Sequence, residues 1–214
     1  MVPERPKIYH ITHFENLRSI FERGSILSDA ECCDQNLDHT RVGMSEIKRR
    51  RLEEIRVSCH NNTFVGEYVP FYFCPRSIML YILYKGNHPD IAYHGGQQPV
   101  VHIEADLNNV VQWADRNRIL WAFTDRNAGT YYGEFFNDLN DLDHVDWHAI
   151  NSTDFRNPGI KDGKQAEFLI QRAFPVALID RIGVMDIRKK KEVDILLKSS
   201  SIGLQVEVKP DWYY

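Results

Sequence analysis

The stretch Lys164-Gln165-Ala166-Glu167-Phe168-Leu169-Ile170 has the apolar character of a buried β-strand but carries one acidic side chain, Glu167. An unpaired carboxylate in a buried strand opposes folding, so another group in the fold must pair with it or use it. Residues 151–163, just before this stretch, are rich in turn formers and indicate a loop that faces a substrate. Glu167 is therefore the first candidate for a catalytic residue, with a structural pair to a buried arginine as the alternative.

The chain begins with the pattern of a strand, a tight turn and a helix. Residues 7–11 favour a strand, with His10 near its end. Thr12 and Glu15 have the spacing of a capping box, and Gly24 is placed to end the helix that follows. The pattern therefore puts His10 at a strand-to-helix junction.

The remaining elements mix without regular alternation. Residues 29–42 indicate a loop, and residues 43–55 favour a helix with a strongly basic face. Because no repeat or linker divides the chain and no regular βα alternation appears, the sequence predicts one α+β domain of residues 1–214. Further strands are predicted at 68–73, 99–105, 119–123, 176–182, 184–187 and 204–208, and further helices at 78–84, 107–114 and after residue 187.

Composition excludes several classes of protein. A net charge of −4 over 214 residues argues against a wholly basic nucleic-acid coat, although a local basic groove stays possible. The four cysteines lack CxxC spacing, and no apolar run approaches the roughly 20 residues of a membrane helix, which predicts a reduced, cytoplasmic protein. The nine histidines form no HExxH pair, so no metal is expected.

Taken singly, most candidate residues have ordinary structural explanations. A histidine at a strand end, such as His10, is usually a satisfied structural residue. The aromatic run Phe71-Tyr72-Phe73 is typical of a core strand, and Arg49-Arg50-Arg51 is typical of a solvated helix face.

The combination of motifs is more specific. Residues 9–12 (YHIT), followed by Leu17, Ile20 and Gly24, resemble the first motif of the ADP-ribosyltransferases related to the poly-ADP-ribose polymerases and diphtheria toxin. The resemblance is strongest to the DarT family, toxins that ADP-ribosylate DNA, and it implies a split central β-sheet, mixed or antiparallel, flanked by helices. The segments that carry it are 68–77 (YVPFYFCPRS), 123–126 (FTDR), 164–169 (KQAEFL) and 211–214 (DWYY).

This resemblance implies NAD⁺ as co-substrate and a role for each residue around it. Glu167 would stabilise the oxocarbenium-like state in which the nicotinamide–ribose bond breaks. His10 would hydrogen-bond the adenosine-side ribose, and the backbone around Thr12 would contact the nicotinamide amide. Either Tyr72 or Phe71 would stack on nicotinamide, because neighbouring strand residues face opposite sides.

The resemblance also implies residues on the DNA side. It places a second catalytic residue at Arg51, with Arg50 as the runner-up in register and a DNA-binding residue. Since arginine is never neutral in proteins, stabilising a thymine anion or holding a phosphate is easier for Arg51 than acting as a base. Phe155 and Arg156, in the loop before the Glu167 strand, would contact single-stranded DNA.

The expected function is NAD⁺-dependent transfer of ADP-ribose to thymine in single-stranded DNA by a monomeric toxin. The expected partner is a DarG-like macrodomain antitoxin that removes the ADP-ribose, and no membrane partner is expected. The alternatives are a transferase acting on RNA or protein, with guanine also open as the acceptor base, and a catalytically silent module that binds nucleic acid or a partner.

Overall fold

The computed structural model describes residues 1–37, 40 and 42–214, which form ten strands and eight α-helices. The strands are β1 (Lys7–His13), β2 (Ser25–Leu27), β3 (Tyr68–Tyr72), β4 (Val100–Asp106), β5 (Trp121–Thr124), β6 (Phe135–Phe136), β7 (Glu167–Gln171), β8 (Ala173–Pro175), β9 (Arg181–Val184) and β10 (Gln205–Val208). The helices are α1 (Asn16–Arg23), α2 (Asp29–Asp34), α3 (Ser45–Glu53), α4 (Ile78–Lys85), α5 (Leu107–Asn117), α6 (Trp147–Asn151), α7 (Pro158–Gly163) and α8 (Ile187–Ser199).

Eight of the strands form one mixed sheet in the order β10-β9-β4-β1-β3-β7-β5-β6, and β2 pairs with β8 in a separate ribbon. Only β10 and β9 run parallel, and the other neighbours in the sheet are antiparallel. The register pairs β1 with β3 at a single position, Tyr9 with Tyr72, whereas β1 and β4 pair along seven. The sheet is therefore nearly divided between β1 and β3, which confirms the predicted α+β fold with a split mixed sheet.

Strands from both ends of the chain share this sheet, since β1 begins at Lys7 and β10 ends at Val208. The single domain of residues 1–214 stays a prediction, with which this arrangement agrees.

The apolar spacing of the helices explains where they pack. Leu17, Ile20 and Phe21 form the buried face of α1, which ends at Gly24 with a φ of 73°, as predicted. Ser77 caps α4 by accepting a hydrogen bond from the Leu80 amide at 3.1 Å. Among the described residues, no helix is long and apolar enough to cross a membrane.

Four local predictions were wrong. Thr12 belongs to β1 and does not cap α1; Glu15 takes the N-cap position without a side-chain hydrogen bond. The loop predicted at 29–42 contains α2, which Ser28 caps, and its residues 38, 39 and 41 lie outside the described residues. The loop predicted at 151–163 is confined to residues 152–157, because α6 ends at Asn151 and Asn157 caps α7.

The fourth error concerns the strands predicted at 176–182 and 184–187. A short 3₁₀ helix, Val176–Leu178, comes first, and a single strand, β9, follows. The run is apolar throughout, so periodicity alone could not separate a strand from a turn of helix.

Candidate active site

Three neighbouring strands bring the central residues into one row. The register pairs Tyr9 of β1 with Tyr72 of β3, and Tyr72 in turn with Glu167 of β7. Because directly paired residues project to the same face of a sheet, Tyr72 and Glu167 are side-chain neighbours. The row crosses the sheet at the point where β1 and β3 are joined by only one pair.

Glu167 forms a two-pronged ion pair with Arg51 of α3. Arg51 Nη1 donates to Glu167 Oε1 at 3.2 Å, and Nη2 donates to Oε2 at 2.9 Å. The Ala128 amide also donates to Oε1, at 3.0 Å. Both side chains are buried, with 1% of Glu167 and 11% of Arg51 exposed. The pairing with a buried arginine, one of the expected alternatives, is therefore present, and it lies in the same site as the other candidate residues.

Arg51 keeps its charge at neutral pH. Burial alone would lower the pKa of Arg51, but the charge and hydrogen bonds of Glu167 outweigh burial, so the pKa of Arg51 is raised. An arginine held in this way cannot serve as a general base. The geometry suits it to holding the carboxylate and to stabilising another negative charge nearby.

A cavity of about 260 Å³ lies against this pair. Four of the predicted site residues line it, and Glu167, which is not among the lining residues, is hydrogen-bonded to one that is, Arg51. The four are His10, Thr12, Arg51 and Tyr72.

One ring nitrogen of His10 has no hydrogen-bond partner among the described residues. Its Nδ1 donates to the Pro70 carbonyl oxygen at 2.9 Å, which leaves Nε2 as an acceptor. Burial lowers the pKa of His10, so the ring stays neutral. Thr12 accepts a hydrogen bond from Asn16 Nδ2 at 3.0 Å. The two residues thus line the cavity as a neutral acceptor and an already bonded hydroxyl.

The two aromatic candidates on β3 face opposite sides, as strand geometry requires. Tyr72 lines the cavity, and burial together with the charge of Glu167 raises the pKa of its phenol, so the ring stays uncharged. Phe71 is fully buried and packs on Phe174, with ring centroids 4.7 Å apart. The structure therefore contradicts a stacking role for Phe71 in the cavity.

Of the residues expected on the DNA side, Arg51 lines the cavity, whereas Arg50, Phe155 and Arg156 do not. Arg50 projects toward Tyr131, with its guanidinium carbon 5.9 Å from the ring centroid. Phe155 packs on Tyr81, at 5.0 Å between ring centroids, and Arg156 pairs with Asp154 while remaining 91% exposed. The segment before β7 therefore does not bring Phe155 and Arg156 to Glu167 as the sequence predicted.

Several residues of the site escaped sequence reasoning. Lys48 lies one helical turn before Arg51, lines the cavity and pairs with Asp29 at 2.7 Å. The spacing of Lys48 and Arg51 on α3 was the signal that could have revealed it. Asn127 and Gln165 also line the cavity and hydrogen-bond each other at 3.4 Å, a contact between distant segments that no local pattern shows.

Within the described ranges, no group of three or more histidine, cysteine, aspartate or glutamate side chains is placed to hold a metal ion. The expectation that the protein needs no metal stays a prediction.

Known proteins are similar to this chain in both sequence and fold. Residues 9–214 match the family described as "ssDNA thymidine ADP-ribosyltransferase, DarT". A DNA ADP-ribosyl transferase of Thermus sp. (strain 2.9) is 35% identical over 215 residues, which cover 99% of this chain and 98% of that protein. A fusion of DNA ADP-ribosyl transferase and DNA ADP-ribosyl glycohydrolase from Thermosipho africanus is 36% identical over 219 residues, which cover 99% of this chain and 50% of the fusion.

Solved structures of the Thermus sp. 2.9 DarT give the same result. Its complex with ADP-ribosylated single-stranded DNA superposes with a TM-score of 0.88 at 34% identity, covering 100% of this chain and 99% of that one. Its complex with NAD⁺ superposes with a TM-score of 0.80 at 33% identity and full coverage of both chains (100% each). The protein described here therefore belongs to the DarT family of single-stranded DNA thymidine ADP-ribosyltransferases.

Proposed function

We propose that this protein transfers ADP-ribose from NAD⁺ to thymine in single-stranded DNA and releases nicotinamide. The observation that carries the proposal is the Arg51–Glu167 pair, buried beside a cavity that also presents His10 and Tyr72. Membership of the DarT family supports the choice of both substrates, since a relative of known structure was captured with NAD⁺ and with ADP-ribosylated DNA.

The cavity offers complementary groups to each part of NAD⁺. The Nε2 of His10 would accept a hydrogen bond from a ribose hydroxyl, and the uncharged ring of Tyr72 would stack on nicotinamide. Lys48 and Arg23 line the same cavity and would place positive charge near the pyrophosphate.

Glu167 has capacity for one more hydrogen bond. A carboxylate offers about four acceptor positions, and Arg51 and the Ala128 amide occupy three of them. A ribose hydroxyl that donated to the remaining position would bring the carboxylate next to the carbon where positive charge develops. In a dry site, this fixed negative charge would stabilise the breaking of the nicotinamide–ribose bond. Access to Glu167 would require Arg51, which is hydrogen-bonded to it, to shift toward the incoming base.

Arg51 would then act on the acceptor. Because it remains a cation, it would stabilise the negative charge left on thymine when the N3 proton passes to solvent water, and it would not take up that proton itself. Thymine N3 is engaged by base pairing in a duplex, so the acceptor must be an unpaired or extruded base.

The wider biology follows from this reaction. Modification of thymine in DNA would make the protein a toxin that acts in the cytoplasm. A monomer would be sufficient for this reaction. The Thermosipho africanus relative carries a DNA ADP-ribosyl glycohydrolase on the same chain, which supports an antitoxin of that activity, of the predicted macrodomain type, as the partner of this protein.

The test is a gel-shift assay with NAD⁺ and four matched nucleic acids. A thymine-containing single strand should be retarded, whereas its duplex, a strand with every thymine replaced, and the RNA of the same sequence should not. Glu167→Ala should abolish the shift of the first. Modification of the RNA, or transfer to the protein itself in place of DNA, would select the alternative acceptors, and no transfer at all would select a silent binding module.

A further inference from the structure

Outside the cavity, one surface combines four aromatic rings with two cations. We propose that this aromatic surface, defined by Arg76, Tyr81, Tyr84, Lys85, Phe155 and Tyr214, binds the nucleotides that flank the modified thymine. It would do so only if the protein acts on single-stranded DNA, the function proposed above.

The rings are arranged around Tyr81 and Tyr214. Phe155 meets both edge-to-face, with ring centroids 5.0 Å from Tyr81 and 5.9 Å from Tyr214. Tyr84 stacks on Tyr214 at 6.1 Å with an interplanar angle of 24° and remains 49% exposed. A large aromatic side chain with half of its area in water is unusual in a core element but suits a platform for an unpaired base.

The two cations of the surface have no acidic partner among the described residues. The guanidinium carbon of Arg76 lies 4.4 Å from the ring centroid of Tyr214. The buried Nε of Arg76 has no hydrogen-bond acceptor among the described residues. Lys85 Nζ lies 5.6 Å from the ring of Tyr81 and 5.7 Å from that of Tyr84.

These two cations indicate which kind of ligand binds the aromatic surface. In a protein with a net charge of −4, two neighbouring cations without an acidic partner suit a polyanion, and the half-exposed ring of Tyr84 suits a polyanion that carries flat apolar groups. Single-stranded DNA supplies both phosphates and unstacked bases, and it is the substrate of the site next to this surface.

Helix α4 joins the aromatic surface to the cavity. Its residues Ile78, Met79 and Ile82 line the cavity, while Tyr81 and Tyr84 belong to the aromatic surface. A strand bound along this helix would therefore reach the cavity within one or two helical turns. Phe155 lies in the segment that leads through α7 to Glu167. We therefore still expect Phe155 to bind DNA, but at the aromatic surface and not in the cavity.

The first experiment measures DNA affinity by fluorescence anisotropy in the absence of NAD⁺. The probe is an end-labelled, thymine-containing single strand of about 12 nucleotides, which falls within the usual site sizes for such grooves. Tyr84→Ala should weaken binding about tenfold, as expected for loss of one base-stacking contact, and Tyr84→Trp should bind like the wild type. Lys85→Gln should reduce the slope of log affinity against log salt by about 0.7, the value for one lost phosphate contact on a single strand.

Two controls separate a binding role from structural damage. Lys191→Gln, an exposed lysine on α8 outside this surface, should leave affinity and salt slope unchanged. With Tyr84→Ala, the KM for NAD⁺ should stay at the wild-type value, because Tyr84 does not line the cavity.

Wild-type affinity and salt slope in both Tyr84→Ala and Lys85→Gln, with an active wild-type enzyme, would overturn the assignment of this surface. A wild-type enzyme that neither binds nor modifies the strand would overturn the proposed function as well, so the two failures are distinguishable.

Discussion

Arg51 and Arg76 are both partly buried arginines, but their charges are used differently. Both terminal nitrogens of Arg51 donate hydrogen bonds to Glu167, which belongs to the row of paired residues that crosses β1, β3 and β7. Arg76 lies over the ring of Tyr214 and pairs with no carboxylate in the described part of the chain. A paired, buried charge fixes the position of a catalytic group, whereas an unpaired cation beside exposed rings remains available to a ligand. The two regions are expected to respond differently to substitution.

Removing Arg51 should have the largest effect on the folded protein. Arg51→Ala leaves the buried carboxylate of Glu167 with one amide donor, so the free energy of unfolding should fall by about 3–5 kcal/mol and DNA modification should be lost. Urea denaturation and the gel-shift assay measure the two effects. Arg49→Ala, on the exposed side of the same helix, is the matched control and should leave stability close to that of the wild type, because water and salt screen its ion pairs.

The double variant Arg51→Met/Glu167→Gln sharpens this result. It removes both charges, so it should recover most of the lost stability while staying inactive. Recovered activity would contradict a catalytic reason for keeping the buried pair. NAD⁺ binding that survives in the folded Arg51→Ala protein would place its role on the DNA side, and loss of NAD⁺ binding would refute that placement.

A pH titration probes another buried group of the sheet, His102 of β4. Burial lowers its pKa from 6.5 to about 4, and its Nε2 donates to the Pro75 carbonyl oxygen at 2.9 Å. Below pH 6.5 the imidazole of His102 is protonated in the unfolded chain but remains neutral in the folded protein. The free energy of unfolding should therefore fall by roughly 3 kcal/mol between pH 6.5 and 4. His102→Gln keeps a donor for Pro75 and should flatten this part of the stability curve. An unchanged pH dependence in the variant would show that other groups cause it.

Tyr72 should show a smaller effect, confined to NAD⁺. Tyr72→Ala removes the ring that faces the cavity and should raise the KM for NAD⁺ about tenfold, the worth of a stacking contact. Tyr72→Phe keeps the ring and should stay near the wild-type value. Equal losses in the two variants would assign the role to the phenol hydroxyl.

The smallest effects are expected in the segment between α6 and α7. Phe155→Ala removes one ring of the aromatic surface and should weaken DNA binding by about fivefold, near the lower limit for a stacking contact. Arg156→Ala removes a cation that Asp154 already neutralises at the surface and should change DNA affinity little. Anisotropy measurements on both variants test the ranking, and a larger loss in Arg156→Ala would reverse it.

The same contrast explains what the sequence could predict. Glu167 stood out because a carboxylate in an apolar strand has few explanations, and the strand patterns around Tyr72 and His10 were periodic enough to place them. The resemblance named Arg51 as a catalytic residue but not as the partner of Glu167, since that contact joins residues 116 positions apart. Cys32 and Cys33 belong to α2, a helix that the composition of the segment did not indicate. Asn157 and Pro158 begin α7, which was likewise predicted as a loop.

The aromatic surface was the least predictable part. Tyr81, Phe155 and Tyr214 come from three distant segments, and nothing local to each distinguishes an exposed ring from a buried one. Trp212 and Tyr213 illustrate the difficulty, because both are buried while the adjacent Tyr214 reaches this surface.

The central claim is that Glu167 stabilises the breaking of the nicotinamide–ribose bond. The most direct test is the single-turnover rate of ADP-ribose transfer to a thymine-containing single strand by Glu167→Gln, measured with NAD⁺ and DNA at saturation and compared with the wild type. Glutamine keeps the shape of the side chain and removes its charge, so NAD⁺ should still bind while the transfer rate falls by about a thousandfold, the upper value for loss of one preorganised electrostatic group. A Glu167→Gln protein that transfers ADP-ribose at the wild-type rate would contradict the assignment.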